Sequence, residues 1–242
     1  WFSGTPGGDL AEHKHRLLTC DYANVVQTLP ESAVAQRLLA QHMIDFGLIT
    51  QQVKDNTQWP DLIAELACHV ADDLCLMETK KQPRLVAACV CSPSYWNIRE
   101  KIGLSMAAIH QPVVSLEEKI GSSIQRVLTQ SPLLKPFERS NWFMHSDRQR
   151  KHLRAENPLD TPPNQWFVRS ERETICRFSE DYALFTINVR FAPLKEIARY
   201  PVARADLSAA LSKFDADEIT YFGGRKKYQQ LCAYINSLDN NS

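Results

Sequence analysis

Apolar residues recur every three or four positions along most of the first 72 residues, a spacing that places them on one face of a helix. The clearest example is the run from Leu62 to Val70, in which Ile63 and Leu66 fall on one side. Pro60 lies at its start, where the first turn of a helix tolerates a missing N–H. The predicted helices of this part span about 10–18, 32–46 and 60–72.

The rest of the chain contains both strand-like and helix-like patterns. Apolar runs at 74–77 and 85–91, separated by a turn at 79–83, predict a hairpin. Two further strands are predicted at about 165–175 and 182–191, and helices at about 98–110, 116–129, 205–213 and 225–238. The polar segment 136–163, rich in His, Arg, Asn and Pro, is predicted to be a long loop.

This order of elements predicts an α+β fold in which helices flank an antiparallel sheet. With 242 residues, the chain is long enough to bury a sizeable core. We therefore predict a single domain over 1–242, with a mainly helical part at about 1–72 and a sheet-containing part at about 73–242.

Small residues and one histidine share a face of the predicted 98–110 helix. If Asn97 caps this helix, Gly103, Ala107 and His110 follow at i, i+4 and i+7 on one side. Such a face is flat and suits a planar cofactor such as haem, whose iron accepts a histidine nitrogen. The alternative is a core or helix-end histidine, with small residues that only allow close packing. The neighbouring stripe, predicted to face the core, consists of Ile98, Ile102, Met106 and Ile109.

Charged residues occupy a predicted strand in an unusual way. Strand alternation places Arg169, Glu171 and Glu173 on one face and Arg172 on the other. If the charged face lies in a polar pocket, a carboxylate there could hold a substrate ammonium group or move a proton, and an arginine could bind a cofactor carboxylate. The alternative is a solvated edge strand with a ladder of Arg and Glu side chains.

Composition removes several classes of function. Lys plus Arg and Asp plus Glu number 28 each, so no net charge attracts nucleic acid or an anionic membrane. No apolar run approaches the roughly 20 residues that span a bilayer, and no signal-peptide pattern is visible, so we expect a soluble, cytoplasmic protein. The seven cysteines form no C-x-x-C pair, which predicts reduced core thiols and argues against a structural zinc site.

Several motifs, in a defined order, extend over nearly the whole chain. They are Asp73-Leu74-Cys75-Leu76, Trp96 to Gly103, Ile109-His110-Gln111-Pro112-Val113, Asn141-Trp142, Arg169-Ser170-Glu171-Arg172-Glu173-Thr174 and Phe185-Thr186-Ile187. Together they resemble the haem-dependent oxidative N-demethylase family, from about residue 10 to residue 238. The resemblance implies a PAS-like antiparallel sheet with helices that carries haem b. It also implies oxygen-dependent removal of a methyl group from a small secondary amine, with release of formaldehyde.

The resemblance also implies roles for residues around the predicted 98–110 helix. His110 matches the histidine of an Ile-His-x-Pro-Val motif and is predicted to be the axial ligand of the haem iron. Glu100 and Lys101 match a Glu-Lys-Ile-Gly motif in the same segment. We expect Lys101, Gly103 and Ala107 to contribute to the cofactor site together with His110.

The charged strand matches an Arg-x-Glu-Arg motif of the family through Arg169, Glu171 and Arg172. We predict that Glu171 is the catalytic carboxylate, facing either the substrate amine or the oxygen pathway. Arg169 or Arg172 is predicted to pair with a haem propionate. The chain departs from the family at Val114, where a second proline is usual, and at Glu173, where glutamine is more usual. The second change adds a negative charge near the predicted site.

Electrons for such a reaction have to come from another protein. The sequence contains no Gly-x-Gly-x-x-Gly motif and no cysteine cluster, so NADPH, flavin and an iron–sulfur cluster are expected only on a separate reductase subunit. The other expected partners are a small amine substrate and oxygen, without nucleic acid or membrane. Two alternatives stay open: a haem or small-ligand sensor that binds without turnover, and a scaffold subunit with an empty pocket.

Overall fold

Six strands form one antiparallel sheet in the computed structural model, which describes residues 1–80, 82–110, 122–154 and 161–239. The strands are β1 (Val26–Thr28), β2 (Asp73–Glu78), β3 (Arg84–Cys89), β4 (Phe137–His145), β5 (Phe167–Arg177) and β6 (Tyr182–Pro193). Their spatial order is β1-β3-β2-β6-β5-β4. Within the described residues, β1 and β4 are therefore the edges of the sheet, and β5 is an interior strand.

Helices flank the sheet, which confirms the predicted α+β class. They are α1 (Gly8–Cys20), α2 (Tyr22–Val25), α3 (Ala33–Asp45), α4 (Gln51–Asp55), α5 (Leu62–Cys68), α6 (Met106–His110), α7 (Ser122–Gln130), α8 (Pro201–Leu211), α9 (Ala216–Phe222) and α10 (Arg225–Asp239). The helices predicted at 10–18, 32–46, 205–213 and 225–238 are confirmed as α1, α3, α8 and α10. Part of the helix predicted at 116–129 lies outside the described residues, and the described part belongs to α7.

Helix α5 is shorter than the predicted helix over 60–72 because a lysine side chain binds the carbonyl groups at its end. Lys14 Nζ donates hydrogen bonds to the carbonyl oxygens of Ala67, Val70 and Asp72 at 2.8, 2.8 and 2.6 Å. These bonds satisfy acceptors that a continuing helix would otherwise use. The chain can therefore leave the helix after Cys68 and enter β2 at Asp73.

The described residues fall into two compact units. The first lies within 1–140, 150–153 and 172–189, and the second within 141–149, 154–171 and 190–242. Strands β4, β5 and β6 each contribute residues to both units. The single domain over 1–242, with its boundary near residue 72, stays a prediction.

In the first unit, one face of the sheet packs against α1, α3 and α5. Leu74 and Leu76 alternate along β2 and are fully buried on this face. Leu18, Leu39 and Leu66 belong to the same apolar cluster and come from the three helices. The apolar face of the strand, formed by every second residue, thus packs against the apolar faces of the helices in one core.

The other face of the same sheet buries the alternate residues. Cys75 and Met77 of β2 lie in a second apolar cluster with Ala183 of β6. Ile98 and Leu128 belong to this cluster too. Both faces of β2 are therefore covered, which explains why its sequence is apolar without polar alternation.

The second unit has its own core, built around Trp166. This residue is fully buried, and its indole N–H donates to the Thr161 carbonyl oxygen at 2.8 Å. Leu211, Leu231 and Ile235 come from α8 and α10 and belong to the same cluster. The apolar stripe predicted on the last helix therefore faces a core, as its spacing indicates.

The predicted loop over 136–163 is wrong over its first part, because β4 lies within it. The first four residues of β4, from Phe137 to Ser140, are all exposed. A strand half of which is exposed at the edge of a sheet does not need alternating apolar residues. The sequence of β4 therefore shows no alternation of apolar and polar residues. The position of β4 in the fold depends instead on its pairing with β5.

Candidate functional site

The segment that precedes His110 is not one helix, so the prediction of a continuous helix over 98–110 is wrong. Asn97 does act as a cap, since its side-chain oxygen accepts a hydrogen bond from the Arg99 N–H at 3.1 Å. The element that it starts is, however, only a short 3-10 turn at Ile98–Glu100. Helix α6 begins at Met106.

Backbone bonds to β3 interrupt the predicted helix. The Gly103 N–H donates to the Leu85 carbonyl oxygen at 2.8 Å, and the Leu85 N–H donates to the Leu104 carbonyl oxygen at 3.0 Å. Gly103 has a φ of +80°, in the left-handed region that glycine adopts without strain. Gly103 therefore precedes α6, and the predicted flat face with Ala107 and His110 does not form.

Side chains hold α6 at both ends. Near its start, Ser105 Oγ accepts a hydrogen bond from the Ala108 N–H at 3.3 Å. Near its end, Lys101 Nζ donates to the Ile109 carbonyl oxygen at 3.2 Å. A cation beside the last carbonyl groups of a helix is favourable. Lys101 thus helps to hold the helix that carries His110, and its predicted part in the cofactor site stays a prediction.

The stripe predicted to face the core does so. Ile98 is buried, and Ile102, Met106 and Ile109 pack against the same apolar cluster. Ala107 is exposed on α6. The side chain of His110 lies outside the described residues, as do residues 111–121, which include the rest of its motif and Val114.

The charged residues of β5 share a buried face. Arg169, Glu171 and Glu173 are all buried, as strand alternation predicts for one side. β5 lies between β6 and β4 in the sheet. The alternative of a solvated edge strand is therefore wrong, and the burial of these charges has to be offset by ion pairs.

In the second unit, Arg169 and Glu171 pair with each other. Arg169 Nε donates to Glu171 Oε1 at 3.0 Å, and the two side chains are 0% and 8% exposed. The guanidinium carbon of Arg169 lies 5.6 Å from the centre of the Phe191 ring, close enough for a cation–π attraction. Both charges are inside the protein, so separating them would take from each buried charge an oppositely charged neighbour.

In the first unit, Glu173 pairs with an arginine that reaches solvent. Arg139 Nε, on β4, donates to Glu173 Oε2. The Arg139 side chain is 44% exposed, whereas the Glu173 side chain is 6% exposed. The guanidinium group of Arg139 can therefore be hydrated, since it reaches solvent from β4.

Glu173 and α6 lie on the same face of the first unit's sheet. Ile175, two residues further along β5, belongs to the apolar cluster against which Met106 and Ile109 pack. Cys75 belongs to this cluster as well, and burial, followed by nearby carboxylates that include Glu173, raises the pKa of its thiol. The negative charge of Glu173 thus acts on the side of the sheet that carries α6.

Arg172 points to the opposite face, away from Glu173. It donates to the Trp1 carbonyl oxygen at 3.3 Å and to Ser3 Oγ at 3.0 Å, and it pairs with Glu138 Oε2 at 2.6 Å. Neighbouring residues of a strand project to opposite sides of a sheet. The structure therefore does not bring Arg172 together with the face that carries α6.

Sequence reasoning missed Arg139 and Phe191 as partners of the charged face. Arg139 lies in the segment predicted to be a loop. Phe191 is the last residue of the strand predicted at 182–191, and an apolar residue at this position does not indicate a contact with a cation. A signal for the first did exist. The dipeptide Glu138-Arg139 has charges that complement Arg172-Glu173, and these four residues form the two ion pairs that join β4 to β5.

The part of the chain that the structure describes contains neither a cluster of metal-ligating side chains nor a membrane-spanning helix. Among residues 1–80, 82–110, 122–154 and 161–239, no three His, Cys, Asp or Glu side chains lie close enough together to ligate a metal ion. In that same part of the chain, no helix has both the length and the apolar character needed to cross a bilayer.

Comparison with known proteins gives one match that covers most of the chain. The family model described as haem-dependent oxidative N-demethylase, alpha subunit-like, matches residues 10–232. This match confirms the resemblance seen in the sequence motifs. No curated protein matches the chain significantly.

Proposed function

Because the chain belongs to the haem-dependent oxidative N-demethylase alpha-subunit-like family, we propose that it binds haem b and removes a methyl group from a small secondary amine. Oxygen is the proposed oxidant and formaldehyde the proposed product. The observation that carries this proposal is the family match over residues 10–232. Haem dependence and oxidative N-demethylation follow from the family, and the finer features below are the proposal's own.

The residues around α6 fit a haem in their chemistry. Histidine nitrogen is a common protein ligand of haem iron, and His110 is the last residue of α6. Ser105 and Lys101 hold this helix, and Met106 and Ile109 pack it against an apolar cluster. An anchored ligand helix on an apolar surface supports a site with little water.

Bound haem would supply the activation of oxygen and the oxidation of the methyl carbon. The chain's own residues have to position the cofactor and the amine and to exclude water. His110 would provide the nitrogen that binds the haem iron, and Lys101 would support its helix. Ala107 remains a proposed neighbour of the cofactor. Gly103 instead lies in the turn before α6, where its backbone has a positive φ.

The pairing of Glu171 bears on the choice between its two predicted roles. Its charge is already balanced by the buried Arg169, so Glu171 offers a hydrogen-bond acceptor with little net attraction for a cation. This favours a place along the oxygen pathway over binding of the amine. Arg169 stays proposed for a propionate, and Arg172 is not proposed because its partners lie on the other face.

Electrons are proposed to come from a separate reductase subunit that carries NADPH, flavin and an iron–sulfur cluster. The words alpha subunit-like in the family description support an assembly with another subunit. Reconstitution tests this directly: full reduction and turnover with NADPH alone, without a second protein, would exclude the reductase partner.

The haem proposal is tested by ultraviolet–visible spectra of the purified protein, before and after haem addition, for the wild type and His110→Ala. We expect a strong Soret band in the wild type that shifts or disappears in the variant. His15→Ala is the matched control, because His15 is an exposed histidine on α1, and it should keep the wild-type spectrum. A wild type that binds no haem would contradict the proposal.

Dimethylamine and a reductant are then added to the haem-loaded protein, and formaldehyde is measured. Release of formaldehyde supports the demethylase. A spectral shift with amine but without formaldehyde would instead support a sensor that binds and does not turn over.

A further inference from the structure

A half-buried histidine joins helix α1 to the segment 91–95, which follows β3 in the first unit. The Nε2 atom of His13 lies 2.7 Å from the Cys91 carbonyl oxygen. Its Nδ1 atom lies 3.3 Å from a terminal nitrogen of Arg16, an exposed residue one turn further along the same helix. One imidazole ring therefore holds a backbone segment on α1 and faces a guanidinium group at the same time.

The chemistry of these two neighbours selects one protonation state of the ring. A carbonyl oxygen only accepts hydrogen bonds, so Nε2 carries the proton that is donated to Cys91. A guanidinium group only donates, so Nδ1 accepts a hydrogen bond from Arg16 and carries no proton. Neutral imidazole in its Nε2–H form satisfies both neighbours. The imidazolium ion satisfies only one of them, because its second N–H points at the positive charge of Arg16.

Charged groups outside α1 also act on the ring. Burial has the largest influence and lowers the pKa of His13, because a half-buried site disfavours the charged form. The Cys91 carbonyl group and the carboxylate of Asp73 on β2 act in the direction of a higher pKa, whereas Arg150 and Arg16 act in the direction of a lower one. The resulting pKa of His13 lies below its ordinary value of about 6.5. The ring is therefore mostly neutral at pH 7, the form that its hydrogen bonds require.

The segment that His13 holds contains a strained residue. Tyr95 has a φ of +64°, which is rare for a large side chain and persists only where neighbouring contacts fix the backbone. The Tyr95 N–H donates to the His152 carbonyl oxygen at 2.7 Å, and the Ser92 N–H donates to Asp73 Oδ2 at 2.7 Å. Of these three hydrogen bonds to the segment, that of His13 comes from a side chain that titrates near neutral pH.

We propose that His13 is a pH-sensitive switch for the segment 91–95, which its neutral form holds on α1 and its protonated form releases. Release hydrates the imidazolium ion and relieves its approach to Arg16. The segment leads into the motif from Trp96 to Gly103, so the switch acts on the chain that precedes α6. The proposal does not depend on the proposed function, because every group in it belongs to the first unit and none contacts a cofactor.

The direction of the pH dependence follows from the lowered pKa of His13. When the segment opens, the ring returns to its ordinary pKa and binds a proton at a higher pH than in the closed form. His13 therefore favours the closed form fully above about pH 6.5, and this contribution decreases as the pH falls below that value.

Two variants and one control separate the switch from a merely structural contact. His13→Gln replaces the ring by an amide that offers one donor and one acceptor and does not titrate. Arg16→Gln removes the positive charge that faces Nδ1 and keeps a donor. His15→Gln is the matched control, because His15 is an exposed histidine on the same helix.

The test is amide hydrogen exchange of the full chain between pH 5.5 and pH 7.5, with rates corrected for the intrinsic pH dependence of exchange. In the wild type, we expect the protection of the Ser92 and Tyr95 amides to fall by about threefold or more at pH 5.5, relative to amides of β6. The fall should be absent in His13→Gln and unchanged in His15→Gln. In an NMR titration of the histidine rings, Arg16→Gln should raise the pKa of His13 by about half a pH unit.

Three results would overturn the proposal. The first is a wild type in which the protection of the segment does not fall at low pH. The second is an equal fall in His13→Gln, which would assign the pH dependence to another group. The third is a pKa of His13 at or above about 6.5 in the folded wild type. Arg16→Gln alters only an exposed side chain, so its titration tests the proposal even if His13→Gln does not fold.

Discussion

The two halves of β5 each bury a glutamate, but the arginines that pair with these glutamates differ in exposure. Each half buries a carboxylate on the same side of the strand, and each balances it with an arginine. In the half that belongs to the second unit, the arginine is also buried and lies against an aromatic ring. In the half that belongs to the first unit, the arginine lies on the edge strand and reaches solvent. The two ion pairs thus differ in the burial of the cation, which is enclosed in one pair and reaches solvent in the other.

The largest effect is expected from breaking the buried pair. Arg169→Met removes the buried arginine that pairs with Glu171, and we expect a loss of about 3–5 kcal/mol in the free energy of unfolding. Urea denaturation followed by circular dichroism measures this loss. A loss below about 1 kcal/mol is typical of exposed ion pairs. It would mean that the Arg169–Glu171 pair contributes no more to stability than the Arg139–Glu173 pair.

Removing both charges of that pair should recover much of the stability. In Arg169→Met with Glu171→Leu, neither charge of this pair remains, and we expect a gain of about 2 kcal/mol or more over the single Arg169→Met variant. The same denaturation experiment provides the comparison. If the double variant is as unstable as the single one, packing of the Arg169 side chain, and not its charge, holds this region.

Breaking the half-exposed pair should have a smaller effect. Arg139→Ala leaves the buried Glu173 without this donor, and we expect a loss of about 1–2 kcal/mol in the free energy of unfolding. Urea denaturation followed by circular dichroism again measures this loss. A loss as large as that of Arg169→Met would mean that the exposure of the arginine does not determine how much these two ion pairs contribute to stability.

The smallest effect is expected on the opposite face of the same strand pair. Glu138 is 54% exposed and pairs with Arg172, which keeps its contacts with Trp1 and Ser3. We expect Glu138→Gln to change the free energy of unfolding by about 0.5 kcal/mol. A change above about 1 kcal/mol would show that the exposure of the side chains does not predict how much these ion pairs contribute to the free energy of unfolding.

Much of the fold was predictable because its signals are local. The apolar periods of α1, α3 and α10 and of the β2–β3 hairpin lie within single segments of sequence. The edge strand β4 was missed because half of it is exposed and its residues carry no such period. The predicted 98–110 helix failed for a related reason. The bonds of Gly103 and Leu104 with Leu85 compete with helical bonds, and a local pattern contains no information about them.

The candidate site was predictable in part for the same reason. Alternation alone places Arg169, Glu171 and Glu173 on one face and Arg172 on the other, and the structure confirms this arrangement. Their partners were not predictable, because Arg139 and Trp1 are distant in sequence. The role of His110 as the iron ligand stays a prediction, since its side chain lies outside the described residues.

By itself, the sequence determined the α+β class, the family and the face on which each charged residue of β5 lies. These properties depend on residue identity and on the fixed periods of helix and strand. Only the tertiary structure decided which arginine is buried and which reaches solvent. That choice depends on which strand lies beside β5 and how far it is covered, so it arises from long-range pairing, and it distinguishes an enclosed charge pair from one whose cation reaches solvent.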